Sequence, residues 1–370
     1  MDEKILVQAR NFRLHLGEKG FFLESGRILP EVSIAYETYG TLNADKSNAI
    51  LVCHALTGSA HAAHYHSPDD QKPGWWDDVI GPGKTLDTNT YFIICSNILG
   101  GCNGTTGPRS INPLTGRRYD IQFPVVTIKD MVHAQWLFLK QCFQIERLHS
   151  VIGGSLGGMQ VLEWAISYPE KLERAIVIAA TGRISAQALA MNKVGRQAIM
   201  RDPNWKNGNY PDGAGPVDGL SIARMMGHIS YLSYDSMQRK FGRDFKKNDG
   251  LYDFFGEFQV ESYLNYNGYN FAKRFDANSY LYITKAMDLF DVGMGNGYRE
   301  ILSRIRARTL VVSIASDMLF PPWESEELFR VMHEEGVSVS YYEMESDVGH
   351  DGFLVDYHVL NPVLENFIGS

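Results

Sequence analysis

Nowhere in the 370 residues does an apolar run approach the ~20 residues that a membrane-spanning helix needs, so no span and no membrane partner are expected. Positive charge is equally scarce. Lys and Arg total 35 against 43 Asp and Glu, the formal charge is −8, and no basic run offers a footprint for nucleic acid. There are only four cysteines, Cys53, Cys95, Cys102 and Cys142, without a Cys-x-x-Cys pair. Cys53 and Cys95 sit in apolar strand-like runs and read as buried thiols, which fits a reduced, cytoplasmic setting. The opening Met1-Asp2-Glu3-Lys4 is polar and acidic, unlike a signal peptide. Internal repeats and low-complexity tracts are also missing. What is left, 44% hydrophobic and 21% charged residues, is the composition of a soluble globular protein, long enough for one large domain or a core with an insertion.

The hydrophobic pattern divides that length. Residues 32–39 and 49–54 read as strands around a polar turn, and 91–96 as a short continuous one, as expected for a sheet covered on both faces. Helical spacing follows at 129–143, a strand at 149–153, a helix at 156–168 stopped by Pro169, and a strand at 174–179. This alternation predicts an α/β fold with a mostly parallel sheet and helices on both faces. From 181 to 300 it gives way to helix-like sequence rich in Met, Tyr, Phe and Asn, interrupted by polar loops near 207–219 and 244–250. Strand, helix, strand and helix then resume at 308–314, 324–335, 337–343 and 355–368. The expected organisation is a core from 1–180 and 301–370 with a helical cap, 181–300, over the carboxyl ends of the strands.

The most informative ten residues are Val151-Ile152-Gly153-Gly154-Ser155-Leu156-Gly157-Gly158-Met159-Gln160. An apolar strand enters Gly-x-Ser-x-Gly and leaves directly as a helix, the pattern of a nucleophile elbow. Gly153 and Gly157 are the small neighbours such a tight turn requires, and the Leu156 N–H at the helix N-terminus would face a developing oxyanion. A serine nucleophile needs a base, and the base needs a carboxylate to hold its tautomer. On an α/β-hydrolase fold these follow the serine as acid, then histidine, each after a late strand. Asp317 follows the strand at 308–314 and His350 the strand at 337–343; Asp347 and Asp351 are rival acids, but neither comes just after a strand. A second oxyanion donor is expected after the strand at 49–53, in His54-Ala55-Leu56-Thr57-Gly58, from Leu56 or its neighbour Thr57.

Two other motifs do not hold up. His61-Ala62-Ala63-His64-Tyr65-His66 lacks the cysteine or carboxylate partners of a recognised ligand spacing, so it reads as a loop of polar histidines and no metal is expected. Gly81-Pro82-Gly83-Lys84-Thr85 ends like a phosphate-binding loop, but Asp78 stands where the first glycine belongs and no strand leads in.

With the triad in place, the chain resembles the homoserine O-acetyltransferase family, acyltransferases on the α/β-hydrolase fold, from about Phe12 to the C-terminus. The resemblance is carried by 54–58, by Gly74-Trp75-Trp76-Asp77, by Leu99-Gly100-Gly101-Cys102-Asn103-Gly104-Thr105-Thr106-Gly107-Pro108 and by 153–160. In the cap it is carried by Ala223-Arg224-Met225 through Tyr231, by 260–264 and by Arg274-Phe275-Asp276-Ala277-Asn278-Ser279-Tyr280; Gly349-His350-Asp351-Gly352 closes it. It implies ping-pong transfer of acetyl from acetyl-CoA to the homoserine hydroxyl, a step of methionine biosynthesis, with no bound cofactor. It also implies that Arg224, Tyr231 and Asp351 bind the amino-acid acceptor, and that the chain forms homodimers through the cap. His64, Arg109 and Asp120 depart from the family pattern. The alternatives are a succinyl-CoA-using or serine-directed relative, a carboxylesterase or thioesterase with the same triad, and a catalytically dead binding module.

Overall fold

The computed structural model describes residues 4–246, 252, 254–295 and 297–369; the end of the polar loop expected near 244–250 lies outside them. Eight strands form the central sheet: β1 (Arg10–Arg13), β2 (Ser33–Tyr39), β3 (Ala49–Cys53), β4 (Phe92–Ser96), β5 (Leu148–Gly154), β6 (Leu172–Ile178), β7 (Arg308–Ile314) and β8 (Val339–Met344). Their order is β1-β2-β4-β3-β5-β6-β7-β8. Pairing is antiparallel at β1–β2 and β2–β4 and parallel at every other junction, so β2 alone runs against the rest.

The central strands are continuous apolar runs because both of their faces are covered. Along β3, Leu51 and Cys53 join one core with Trp164 and Phe138, while Ile50 and Val52 join the other with Leu360, Leu364 and Phe367. On the first face lie α1 (Ile128–Phe138) and α2 (Leu156–Ser167); α9 (Pro322–Glu334) also packs into that core through Leu328, Val331 and Met332. The second face is covered by α11 (Tyr357–Ile368). Helix α1 starts in a reciprocal cap: the Asp130 N–H donates to Thr127 Oγ1 and the Thr127 N–H to the Asp130 carboxylate. The helical pattern expected to 143 changes form after Phe138 into one wide turn, Leu139–Phe143. The helix expected over 355–368 starts at Tyr357 as α11, and Val355 instead ends a separate short helix, α10 (Gly352–Val355).

Between β6 and β7 stand α3 (Ala186–Arg201), α4 (Val217–Tyr231), α5 (Tyr234–Phe241), α6 (Gln259–Ala272), α7 (Ala277–Asp288) and α8 (Tyr298–Leu302). No strand longer than an isolated bridge occurs there among the described residues, and α8 spans the expected boundary at 300. Small residues allow this layer to pack closely. A Cβ on Gly219 would stand 2.5 Å from the carbonyl oxygen of Ala198 in α3, and one on Gly268 of α6 would collide with Ser221 of α4. No helix among the described residues is long and apolar enough to cross a membrane.

Candidate active site

Strand β5 ends at Gly154 and α2 begins at Leu156, so Ser155 makes the whole turn, with φ 59° and ψ −125°. A non-glycine residue in such a region costs about 1–3 kcal/mol and persists only where its surroundings dictate it. Here they do. A Cβ on Gly153 would lie 2.7 Å from the Cys53 carbonyl oxygen, and one on Gly157 would overlap that same atom. One on Gly158 would lie 2.6 Å from Ala180 Cβ, and one on Gly154 would enter the Phe353 ring. The Ser155 N–H donates to the Ile178 carbonyl at 2.9 Å, which ties the turn to β6. Ser155 is only 5% exposed, and the Leu156 N–H beside it belongs to the first helical turn, whose donors have no intrahelical partner.

Asp317 lies beyond the end of β7 and is fixed by its own turn. One carboxylate oxygen accepts the N–H groups of Leu319 (2.8 Å) and Phe320 (2.9 Å), and the other meets His350 Nδ1 at 2.6 Å. Both side chains are buried. A carboxylate on Nδ1 keeps the proton there and leaves Nε2 as the basic atom. His350 Nε2 is buried and has no hydrogen-bond partner among the described residues. The imidazole packs against Phe320 (5.3 Å between ring centres), Tyr231 (5.9 Å) and Phe353 (6.1 Å). Phe320 and Tyr231 also line, with Ser155 and Leu56, a cavity of about 30 Å³. Burial works against the imidazolium, but the charge and hydrogen bond of Asp317, helped by Asp351, outweigh it and raise the His350 pKa. The rival Asp347 is turned outward and paired with Arg239.

The cap meets this pair directly. At the end of α4 the Ser233 N–H donates to the Val348 carbonyl (3.0 Å), and the Asp351 N–H reaches the Tyr231 carbonyl (3.4 Å). Gly349 sits between them at φ 101°, where a Cβ would stand 2.5 Å from Tyr231 O and Ser233 N. Arg224, two turns earlier on α4, lies over the rings of Tyr231 (5.5 Å) and Phe271 (5.0 Å), and its Nη1 donates to Thr57 Oγ1 at 3.2 Å. It forms no ion pair among the described residues. Burial raises the Asp351 carboxyl, opposed by His350 and Arg224; burial also raises the Tyr231 phenol.

Of the two oxyanion candidates from the early loop, Leu56 lines the Ser155 cavity, while the Thr57 hydroxyl serves Arg224. Sequence reading missed the buried support beneath that loop. Gln135 Nε2 donates to Gln160 Oε1 and Trp164 Nε1 to Gln135 Oε1, both at 2.8 Å, while Gln160 Nε2 donates to the His54 carbonyl at 3.4 Å. Two glutamines at helical spacing give no signal that they face each other across α1 and α2. The histidine run needs correction. It has a carboxylate partner, Glu37 on β2, which meets His61 Nδ1 at 3.0 Å and His66 Nε2 at 2.7 Å. That partner lies 24 residues upstream of His61, beyond any local spacing rule.

Strand order, strained serine turn and acid–histidine pair after the last two strands define an α/β hydrolase, and the alpha/beta hydrolase fold model matches residues 48–357. The chain belongs to the homoserine O-acetyltransferase family within that fold. It is 56% identical over 351 residues to the homoserine O-acetyltransferase of Deferribacter desulfuricans, covering 95% of this chain and 93% of the relative. The crystal structure of homoserine O-acetyltransferase from Bacillus anthracis superposes with a TM-score of 0.92 at 33% identity, covering 99% and 98% of the two chains. Esterase E22 is also similar, with a TM-score of 0.89, 31% identity and 98% and 100% coverage.

Proposed function

We propose that this enzyme transfers the acetyl group of acetyl-CoA to the hydroxyl of L-homoserine, with Ser155, His350 and Asp317 as its triad. The carrying observation is that Arg224, which forms no ion pair among the described residues, lies over the ring of Tyr231, a wall of the cavity that contains Ser155. A guanidinium so placed suits the carboxylate of an amino-acid acceptor, which it can bind through two parallel N–H donors. Asp351 is the matching anion for the ammonium group, and Tyr231 forms the wall between them.

In the first half-reaction Ser155 Oγ attacks the thioester carbonyl while His350 Nε2 takes its proton. The oxyanion is received by the N–H groups of Leu156 and Leu56. The C–S bond then breaks, and the thiol of CoA leaves with the proton from His350. In the second half, the homoserine hydroxyl gives its proton to His350 and attacks the acetyl-serine. Ser155 Oγ departs with that proton, and O-acetylhomoserine is released. Asp317 holds the imidazole and stabilises its charged form throughout. No metal or resident cofactor takes part in these steps.

The segment 181–300 acts as a lid between the core halves 1–180 and 301–370, and it limits the entry of water, which competes for any acyl-enzyme. Exposed aromatics on this lid, Tyr234, Tyr252 and Phe254, suit a homodimer formed through the cap, which sedimentation would reveal. The four free cysteines suit a cytoplasmic enzyme of methionine biosynthesis.

The test is CoA release from acetyl-CoA, then from succinyl-CoA, each with and without homoserine or serine. Release that needs acetyl-CoA and homoserine together supports the reading. Rapid release without an acceptor would make this a thioesterase, the reading favoured by its likeness to esterase E22, and the roles given to Arg224 and Asp351 would fall.

A further inference from the structure

Away from Ser155, a second group of side chains converges in a way the reaction does not use. Glu37 projects from β2 and is only 2% exposed, while His61 and His66 reach it from the segment that follows the oxyanion loop. The two imidazoles lie against each other with ring centres 3.8 Å apart. His61 Nδ1, His66 Nε2 and a Glu37 carboxylate oxygen all lie within 4.8 Å of one another.

We propose that Glu37, His61 and His66 form a binding site for one divalent zinc ion, which clasps the segment carrying His61 and His66 to β2. Two imidazoles and a carboxylate are borderline donors that suit zinc rather than magnesium or calcium, which prefer all-oxygen shells. Zinc bonds of about 2.0–2.2 Å in a tetrahedron put neighbouring ligand atoms roughly 3.3 Å apart. His61 Nδ1 now meets Glu37 Oε2 at 3.0 Å and His66 Nε2 meets Oε1 at 2.7 Å, so an ion between the two imidazoles would take one of these oxygens, with all ligand atoms already within 4.8 Å of one another. The remaining closure falls to His66, whose side chain is half-exposed.

The carboxylate is already oriented as a metal ligand should be, by an outer partner. The Tyr39 hydroxyl contacts Glu37 Oε2 at 2.8 Å and receives the N–H groups of Ala62 (2.8 Å) and Ala63 (3.2 Å). Strand and turn are therefore fixed relative to each other before any ion arrives. The carboxylate accepts hydrogen bonds from Tyr39, His61 and His66. Without the ion these bonds satisfy the three side chains, so the site is a reinforcement and not a condition of folding.

The experiment is calorimetric titration of the untagged, chelator-treated full chain with zinc, alongside Co2+ as a spectroscopic probe of four-coordinate geometry. One equivalent should bind, and Co2+ should give the intense visible bands of a tetrahedral site. His66→Ala, at a half-exposed position, should weaken zinc by about tenfold or more, since the loss of even an outer partner costs 10–100-fold. His64→Ala removes the third histidine, whose Nδ1 lies nearest Asp77, and should leave the affinity unchanged. Zinc should raise the melting temperature of the parent but not of the His66 variant. Absence of saturable binding, or equal binding by parent and His66→Ala, overturns the proposal.

Discussion

The serine turn and the cap solve two different placement problems with different materials. Around Ser155 the positions are set by backbone, since Gly153, Gly154, Gly157 and Gly158 leave no space for a Cβ and the serine is held at a strained φ of 59°. Around Arg224 the positions are set by side chains: two aromatic rings, one threonine hydroxyl and the packing of α4 against α3 and α6. The first arrangement fixes a reaction and tolerates almost no change. On the proposed roles, the second chooses what the reaction is applied to.

Four experiments would break or sharpen that contrast. The largest effect belongs to the turn: Ser155→Ala should lower CoA release by on the order of 10⁴-fold or more, with the far-ultraviolet dichroism unchanged. More than a hundredth of the parental rate would mean that another nucleophile does the work. Next comes the cap. Arg224→Ala should cost about 2–4 kcal/mol in kcat/KM for homoserine, roughly 30- to 1,000-fold, by removing a charge from a desolvated contact. Hydrolysis of p-nitrophenyl acetate by that variant should change by less than about threefold, well under 1 kcal/mol. Equal losses in both assays would end the assignment of Arg224 to the acceptor.

A smaller effect is expected from the glutamine pair beneath the oxyanion loop. Gln160→Ala leaves its buried partner Gln135 short of an acceptor and should destabilise the chain by about 1–3 kcal/mol in urea unfolding. The smallest is a displacement on the pH axis. His350 must be neutral to accept the serine proton, and Asp317 raises its pKa above the ordinary value, so protonation sets in at a higher pH than for a free imidazole. Activity should therefore fall as the pH drops, with the midpoint of the acid limb in kcat/KM above about 6.5. A midpoint below that value would show that burial outweighs the carboxylate.

The same contrast explains what could be read in advance. Constraints that act within a few residues leave marks in the sequence, so the strand–Gly-x-Ser-x-Gly–helix turn and the β/α alternation were legible from the residues alone. Asp317 and His350 were legible from chain order, each following a strand whose apolar run is plain. Arg224 and Tyr231 were not: on a helix rich in Met and Tyr their spacing is that of any packed face, and only the family resemblance singled them out. The edge strand β1, with the mostly exposed sequence Arg-Asn-Phe-Arg, shows no apolar alternation and was missed. Glu37 was missed for the opposite reason, since its partners are distant in sequence and meet it only after β2 has paired.

The attachment of the histidine loop to the end of α4 has a kinetic consequence. Through Ser233–Val348 and Asp351–Tyr231, the loop that carries His350 is joined to the end of α4, while Ser155 is tied to the sheet. A displacement of that helix wide enough to flood the acyl-serine with solvent would draw the imidazole out of register with it. If Ser155, His350 and Arg224 act as proposed, an opened cap would leave the acetyl-serine without its base until closure restores it.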